Sequence, residues 1–377
     1  MQSLDNNTQT FLALVRAGLW EQDVRLLPHQ DIEWQEGYRL ATEQSILGLV
    51  LAGLEHSDLK PPKELLLPWI GEVQQIEQRN KEMNAFVADI IEKLRMADIY
   101  TLLVKGQGIA QCYEKPLWRS CGDVDFLLSD SNYEKAKSFL IPQASSVEKE
   151  GVAAKHLGMK IDSWEVELHG TMRSNCLAKM DKEIDAVLYD VFYGGNVKYW
   201  MNGSTQVFLP RADEDVFIVF THILKHFFHE GIGLRQICDW CRLLWTNSDR
   251  LNVALLEKRL IRAGIMSEWI TFAFLSVNHL GMPVTAMPLY SNENKWARKA
   301  EKVMEIIFEN GNFGHNRETE YYRGDSWVIR KLSAFRRYTK DFIKQFSIFP
   351  LDSIRVWLRV MRMGISTMFN GGEDKRK

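Results

Sequence analysis

The sequence predicts an α+β protein in which a small mixed β-sheet, flanked by N-terminal helices and a C-terminal helical domain, carries a cluster of acids. Three observations predict it. Apolar residues recur at spacings of three and four near both ends of the chain, as in amphipathic helices. Between them, the apolar run Leu102, Leu103, Val104 ends in a turn, Lys105-Gly106-Gln107-Gly108. Two later stretches, 123–128 and 164–169, alternate apolar and polar residues with the period of a strand.

The elements follow in order. Phe11, Leu12, Leu14, Val15 and Leu19 form a first helical stripe, and residues 46–54 a second short apolar helix. Pro61-Pro62 breaks the chain before a long helix over residues 64–97, whose Met83, Phe86, Val87, Ile90, Ile91 and Leu94 share one buried face. That helix leads into a strand over residues 100–104. The Asp123-Val124-Asp125 strand follows, then a helix through Leu140 whose start is expected at a capping box, Ser131-Asn132-Tyr133-Glu134. His156 to Ile161 and Trp164 to His169 form an antiparallel pair about a turn at Asp162-Ser163. From Asp213 onward the chain reads as helical. The expected organisation is an N-terminal helical region over 1–82, a sheet core over 83–205, a C-terminal helical domain over 206–320 and a basic amphipathic tail over 321–377.

Composition sets bounds on function. With 377 residues, 46% hydrophobic and 25% charged, the chain suits a soluble globular protein of more than one domain. A net charge of −2 gives no support to nucleic-acid binding. Five scattered cysteines and an N-terminal stretch without a basic or apolar run point to a cytoplasmic protein. Residues 269–292 lack charge, but Gly281 and Pro283 end their apolar part early, so a buried helix is expected rather than a span. Residues 321–377 carry 13 Lys and Arg against 5 Asp and Glu, a net +8. With Phe342, Phe346, Trp357 and Val360 among arginines, they read as a helical pair that either docks on an acidic body or meets a partner or the inner membrane surface.

The chemistry concentrates in the middle of the chain. Asp123 and Asp125 project from one face of their strand, about 7 Å apart at roughly 3.4 Å rise per residue, with Val124, Phe126 and Leu128 on the other. Two such carboxylates call for a compensating charge, and a divalent cation is the expected one. The glycine turn after Val104 lets backbone N–H groups approach a phosphate, with Lys105 as an adjacent cation. A nucleotide site is the expectation. In the third strand Glu165, Glu167 and His169 share a face opposite Trp164, Val166 and Leu168.

Lys105-Gly106, then Tyr113, Pro116 and Arg119 before Gly122-Asp123-Val124-Asp125, then Val166-Glu167-Leu168-His169, together resemble the uncharacterised nucleotidyltransferase family of the DNA polymerase β-like superfamily. The resemblance covers roughly residues 83–283 and includes Thr221 to His226 and Gly233 to Trp240. It departs from the wider superfamily at Gln107, where serine or glycine is usual. It implies that Asp123, Asp125 and Glu167 hold Mg2+ (or Mn2+) and carry catalysis, with Glu167 or Glu165 as general base. Lys105, Gly106, Gln107, Arg119, Gly122, His169 and His226 are implied to meet the nucleotide. The implied reaction moves a nucleoside monophosphate from an NTP to an unknown hydroxyl-type acceptor and releases pyrophosphate. A catalytically silent copy that binds a nucleotide or a partner is the alternative.

Other features have plainer readings. Lys105 and Arg119 could pair structurally with the acids. His222, His226 and His229 share a helix face, which suits buried histidines better than a metal site. Arg235 and Asp239 sit at the spacing of a helix-surface ion pair. Cys238 and Cys241 fall on an apolar stripe and read as core.

Overall fold

The computed structural model describes residues 5–27, 31–151, 155–314 and 327–369. Four helices open the chain: α1 (Asn6–Trp20), α2 (Trp34–Glu43), α3 (Leu47–Glu55) and α4 (Lys63–Met96). The middle holds β1 (Leu102–Val104), a one-turn α5 (Gly106–Ala110), β2 (Asp123–Leu127), α6 (Asp130–Leu140), β3 (Ser146–Val147), β4 (His156–Ile161) and β5 (Trp164–His169). Next come α7 (Ala178–Tyr193), a hairpin of β6 (Val197–Asn202) and β7 (Thr205–Pro210), and the helices α8 (Ala212–His229) and α9 (Leu234–Thr246). The chain continues through α10 (Val253–Ala263), α11 (Met266–Asn278), α12 (Asn294–Asn310), α13 (Trp327–Phe346) and α14 (Pro350–Phe369). This is the expected architecture: a mixed sheet flanked by N-terminal helices and a C-terminal bundle.

The sheet order is β1-β2-β5-β4-β3. β2 and β5 run parallel and the other neighbours antiparallel. Strand alternation separates its faces. Val124, Phe126, Leu128, Val166 and Leu168 pack with Met83, Val87, Ile90 and Leu94 of α4 and with Tyr133, Ala136 and Leu140 of α6. The opposite face carries the acids, and its apolar members Leu102, Val104 and Leu127 join the core of the helical bundle. The acid face therefore looks toward the C-terminal helices.

The structure corrects one sequence expectation, adds an element and favours one of two readings of the tail. Helix α6 begins two residues earlier than the capping box suggested, with Ser129 at the N-cap and Ser131 inside the helix. Asn132 Nδ2 donates to Ser129 Oγ at 3.1 Å, so these polar residues serve one another and not the expected box. The β6–β7 hairpin was not anticipated at all. Its strands alternate only weakly in polarity, yet Val207 and Leu209 of β7 enter the sheet's own core. The basic tail docks on the body: Ile348, Phe349 and Val356 are buried in the bundle core, and Gln345 Nε2 donates to Phe227 O at 2.8 Å. Residues 321–326 and 370–377 of that segment lie outside the described residues.

The N-terminal helices are tied to the C-terminal bundle. Trp20 Nε1 donates to Leu280 O at 2.6 Å, and Gln44 bridges α9 and α12 by accepting from Leu234 N and donating to Ile307 O. Helices α1 and α3 cross at Gly18 and Gly53; a Cβ at Gly53 would stand 2.0 Å from Leu14 O. The uncharged stretch after Trp269 is a buried part of α11 that stops at Asn278. Among the described residues no helix is long and apolar enough to cross a membrane.

Candidate active site

The site begins where β1 ends. Lys105 has φ 57° and ψ −143°, a conformation that L residues rarely adopt, and Gly106 follows at φ 36°. This twist turns the chain into α5 and brings Lys105 Nζ to 2.6 Å from Asp125 Oδ1. On β2, the parallel register sets Asp123 beside Glu165 and Asp125 beside Glu167. Ligand oxygens of Asp123, Asp125 and Glu167 all lie within 4.8 Å of one another. Glu165, exposed on the same strand, is not part of that cluster.

Histidines complete the arrangement. His169 Nε2 lies 2.7 Å from Asp125 Oδ1 and 3.3 Å from Glu167 Oε2. His156, opposite His169 across the β4–β5 pair, has its Nε2 3.1 Å from the same Glu167 oxygen. His156 was missed in the sequence, although counting back from the Asp162-Ser163 turn sets it opposite His169.

The charges fit together. Burial pushes Asp125 up, but the Lys105 ammonium and His169 outweigh it and hold the carboxyl below its ordinary value. Asp123 moves the other way, raised chiefly by the charge on Asp125 and then by burial. Glu167, despite burial, is held well below the usual carboxylate range by the two imidazoles. His169 is raised against its burial by Asp125 and Glu167. Lys105 stays charged, since the three acids outweigh its burial.

The opposite wall comes from the helices. A cleft is lined by Lys105, Gly106, Arg119, Gly122, Asp123 and Asp125 on the sheet side and by His222, Arg235 and Asp239 of α8 and α9. Arg119 is held by Asp239 in a two-pronged pair, Nε–Oδ1 at 2.8 Å and Nη2–Oδ2 at 2.7 Å, and Tyr113 Oη donates to the same Oδ1 at 2.8 Å. Arg235, expected to pair with Asp239 one turn along the helix, donates its Nη1 to Ser120 O at 2.9 Å. The planar guanidinium fork of Arg119 matches the two oxygens of the Asp239 carboxylate.

Three of the anticipated nucleotide residues sit apart from the cleft lining: His169, whose Nε2 meets Asp125 Oδ1, and Gln107 and His226. The Gln107 side chain is buried and donates to Asn80 Oδ1 at 3.3 Å, linking α5 to α4. His226 lies between Glu230 and His222, its Nδ1 2.8 Å from Glu230 Oε2 and its Nε2 2.8 Å from His222 Nε2. It is His222, one turn earlier, that lines the cleft, and burial lowers both imidazoles below their ordinary value. Cys238 and Cys241 are buried in the bundle core, as their stripe suggested.

Residues 30–278 match the model of a family described as an uncharacterised nucleotidyltransferase. The chain belongs to that nucleotidyltransferase family, of the polymerase β-like superfamily. The match begins well before residue 83, so it takes in α2, α3 and the whole of α4 with the sheet and the first bundle helices. Searches of curated proteins and of solved structures found no match.

Proposed function

We propose that this nucleotidyltransferase-family chain transfers a nucleoside monophosphate from an NTP to a hydroxyl-type acceptor, using Mg2+ or Mn2+ held by Asp123, Asp125 and Glu167. The observation that carries the reading is the convergence of these three carboxylates beside Lys105, with Asp123 and Asp125 lining a cleft between sheet and bundle. The donor set fits the cation, since oxygen ligands from carboxylates are what Mg2+ takes. When bound there, the metal supplies charge neutralisation on the phosphates and acidifies the acceptor hydroxyl.

The chain's own residues account for the rest. Lys105, paired with Asp125 and lining the cleft, would supply the cation for a triphosphate oxygen. Arg119 is committed to Asp239 and acts by fixing the cleft wall. The acceptor oxygen forms a bond to the α-phosphorus, the α–β bridging bond breaks, and pyrophosphate leaves with that electron pair. The acceptor proton goes to a carboxylate of the site. His169 orients Asp125 and Glu167 through its single Nε2.

Calorimetry tests the reading. Wild-type protein is expected to bind an NTP only with Mg2+ or Mn2+ present. Asp125→Asn is expected to remove the metal dependence while circular dichroism stays unchanged. Metal-dependent binding that survives in the variant would contradict the assignment.

A further inference from the structure

We infer that His156, Glu167 and His169 form a second cation site, adjoining the three-carboxylate cluster, with donors suited to a first-row transition ion rather than Mg2+. The inference goes beyond the nucleotide reading and stands on side-chain geometry alone. The β4–β5 register sets His156 opposite His169, and Glu167 follows two residues before His169 on the same face. The two rings lie 4.9 Å apart, and both Nε2 atoms converge on one oxygen, Glu167 Oε2, at 3.1 and 3.3 Å. One ligand atom from each of the three residues falls within 4.8 Å of the others.

Two imidazole nitrogens and one carboxylate oxygen are the donors that Mn2+, Fe2+, Co2+ and Zn2+ accept. Mg2+ takes oxygen donors and keeps its waters. His156 Nε2 is hydrogen-bonded to Glu167 Oε2 and His169 Nε2 to Asp125 Oδ1 at 2.7 Å, and a cation set between the two rings and Glu167 would replace the protons of these contacts. Solvent reaches the site, because the side chains of His156 and Glu167 are 33% and 31% exposed. Residue 158, opposite Glu167, is glycine, and the Glu148 carboxylate occupies the room a side chain would need, its Oε2 2.7 Å from the position of a Cβ. A fourth acid therefore adds to the negative field over this end of the sheet. Glu167 belongs to both clusters, so occupancy of either is felt at the other.

The test is Mn2+ titration of the full-length protein after removal of metal by a chelator. Free Mn2+ is counted by electron paramagnetic resonance, and the spin-echo envelope of bound Mn2+ is read for imidazole nitrogen. Wild type is expected to show bound Mn2+ with imidazole coordination. Because His169 also adjoins Asp125, the deciding variant is His156→Gln, expected to weaken the nitrogen-ligated ion by about tenfold or more. Asp123→Asn is expected to leave that ion in place. No bound Mn2+, bound Mn2+ without a nitrogen signature, or a signature indifferent to His156→Gln would overturn the inference. Nitrogen-ligated Mn2+ in a protein that binds no Mg2+–NTP would retain the site and reject the nucleotide reading instead.

Discussion

At the scale of single residues, Lys105 joins backbone strain to charge. Its φ and ψ lie where glycine is at ease and other residues store about 1–3 kcal/mol, and its Nζ serves the most buried acid of the site. Replacing it by glycine and by alanine removes the same ammonium but leaves different backbones. Lys105→Gly is expected to be more stable than Lys105→Ala by about 1 kcal/mol in chemical denaturation. The ordinary order, alanine above glycine, would show that the twist stores no strain. Sequence reasoning reached Asp123, Asp125, Glu167 and Lys105 because strand alternation and a turn are local properties. The contacts of Arg119 with Asp239 and of Gln107 with Asn80 are not local properties: the first depends on α9 arriving across the cleft and the second on α4 packing beside α5. His222 was visible as part of a stripe, but only the packing of α8 against the sheet distinguishes it from His226.

Among the elements, the last two helices have two readings in the sequence, and the structure favours docking. Their arginines and aromatics read equally as a surface-seeking pair or a docked one, and the helical period does not separate the two. What decides it is the complement on the body. Phe349 meets Phe227 and Phe228 edge-on with ring centroids 5.9 and 6.4 Å away. Arg359 reaches Asp181 at 3.2 Å and Asn175 at 3.2 Å. Phe349→Ala is therefore expected to destabilise the whole chain by about 3–5 kcal/mol, measured as a shift in the urea midpoint. A variant as stable as wild type would return these helices to the status of a removable tail. The β4–β5 pair, in contrast, was legible to the residue, because a two-residue turn fixes register for every pair beyond it.

The whole molecule is one packed body in which sheet and bundle share the site's walls and the N-terminal helices are tied to the bundle. That integration was not legible, since neither Trp20 nor Gln44 shows in the sequence that its partners lie in the C-terminal helices. It also predicts a pH dependence. Glu268 of α11 is buried, and burial first, then Asp352 of α14, raise its carboxyl well above the ordinary value of 4.5, with Lys299 of α12 acting against them. A raised folded value favours the protonated native state. The stability is thus full in acid and declines as pH rises from about 4.5 through the folded value. Glu268→Gln is expected to flatten that decline in thermal melts taken between pH 5 and 8; an unchanged decline would remove Glu268 as its cause. The central claim concerns chemistry, and one measurement reaches it most directly. Purified protein is incubated with Mg2+, cell extract and an NTP labelled at the α- or the γ-phosphate, and products are resolved by mass. Nucleotidyl transfer predicts that the α-label moves to an acceptor and the γ-label leaves in pyrophosphate, with both events lost in Asp123→Asn combined with Asp125→Asn. Transfer of the γ-label to the acceptor, or α-label transfer that survives the double substitution, would contradict it.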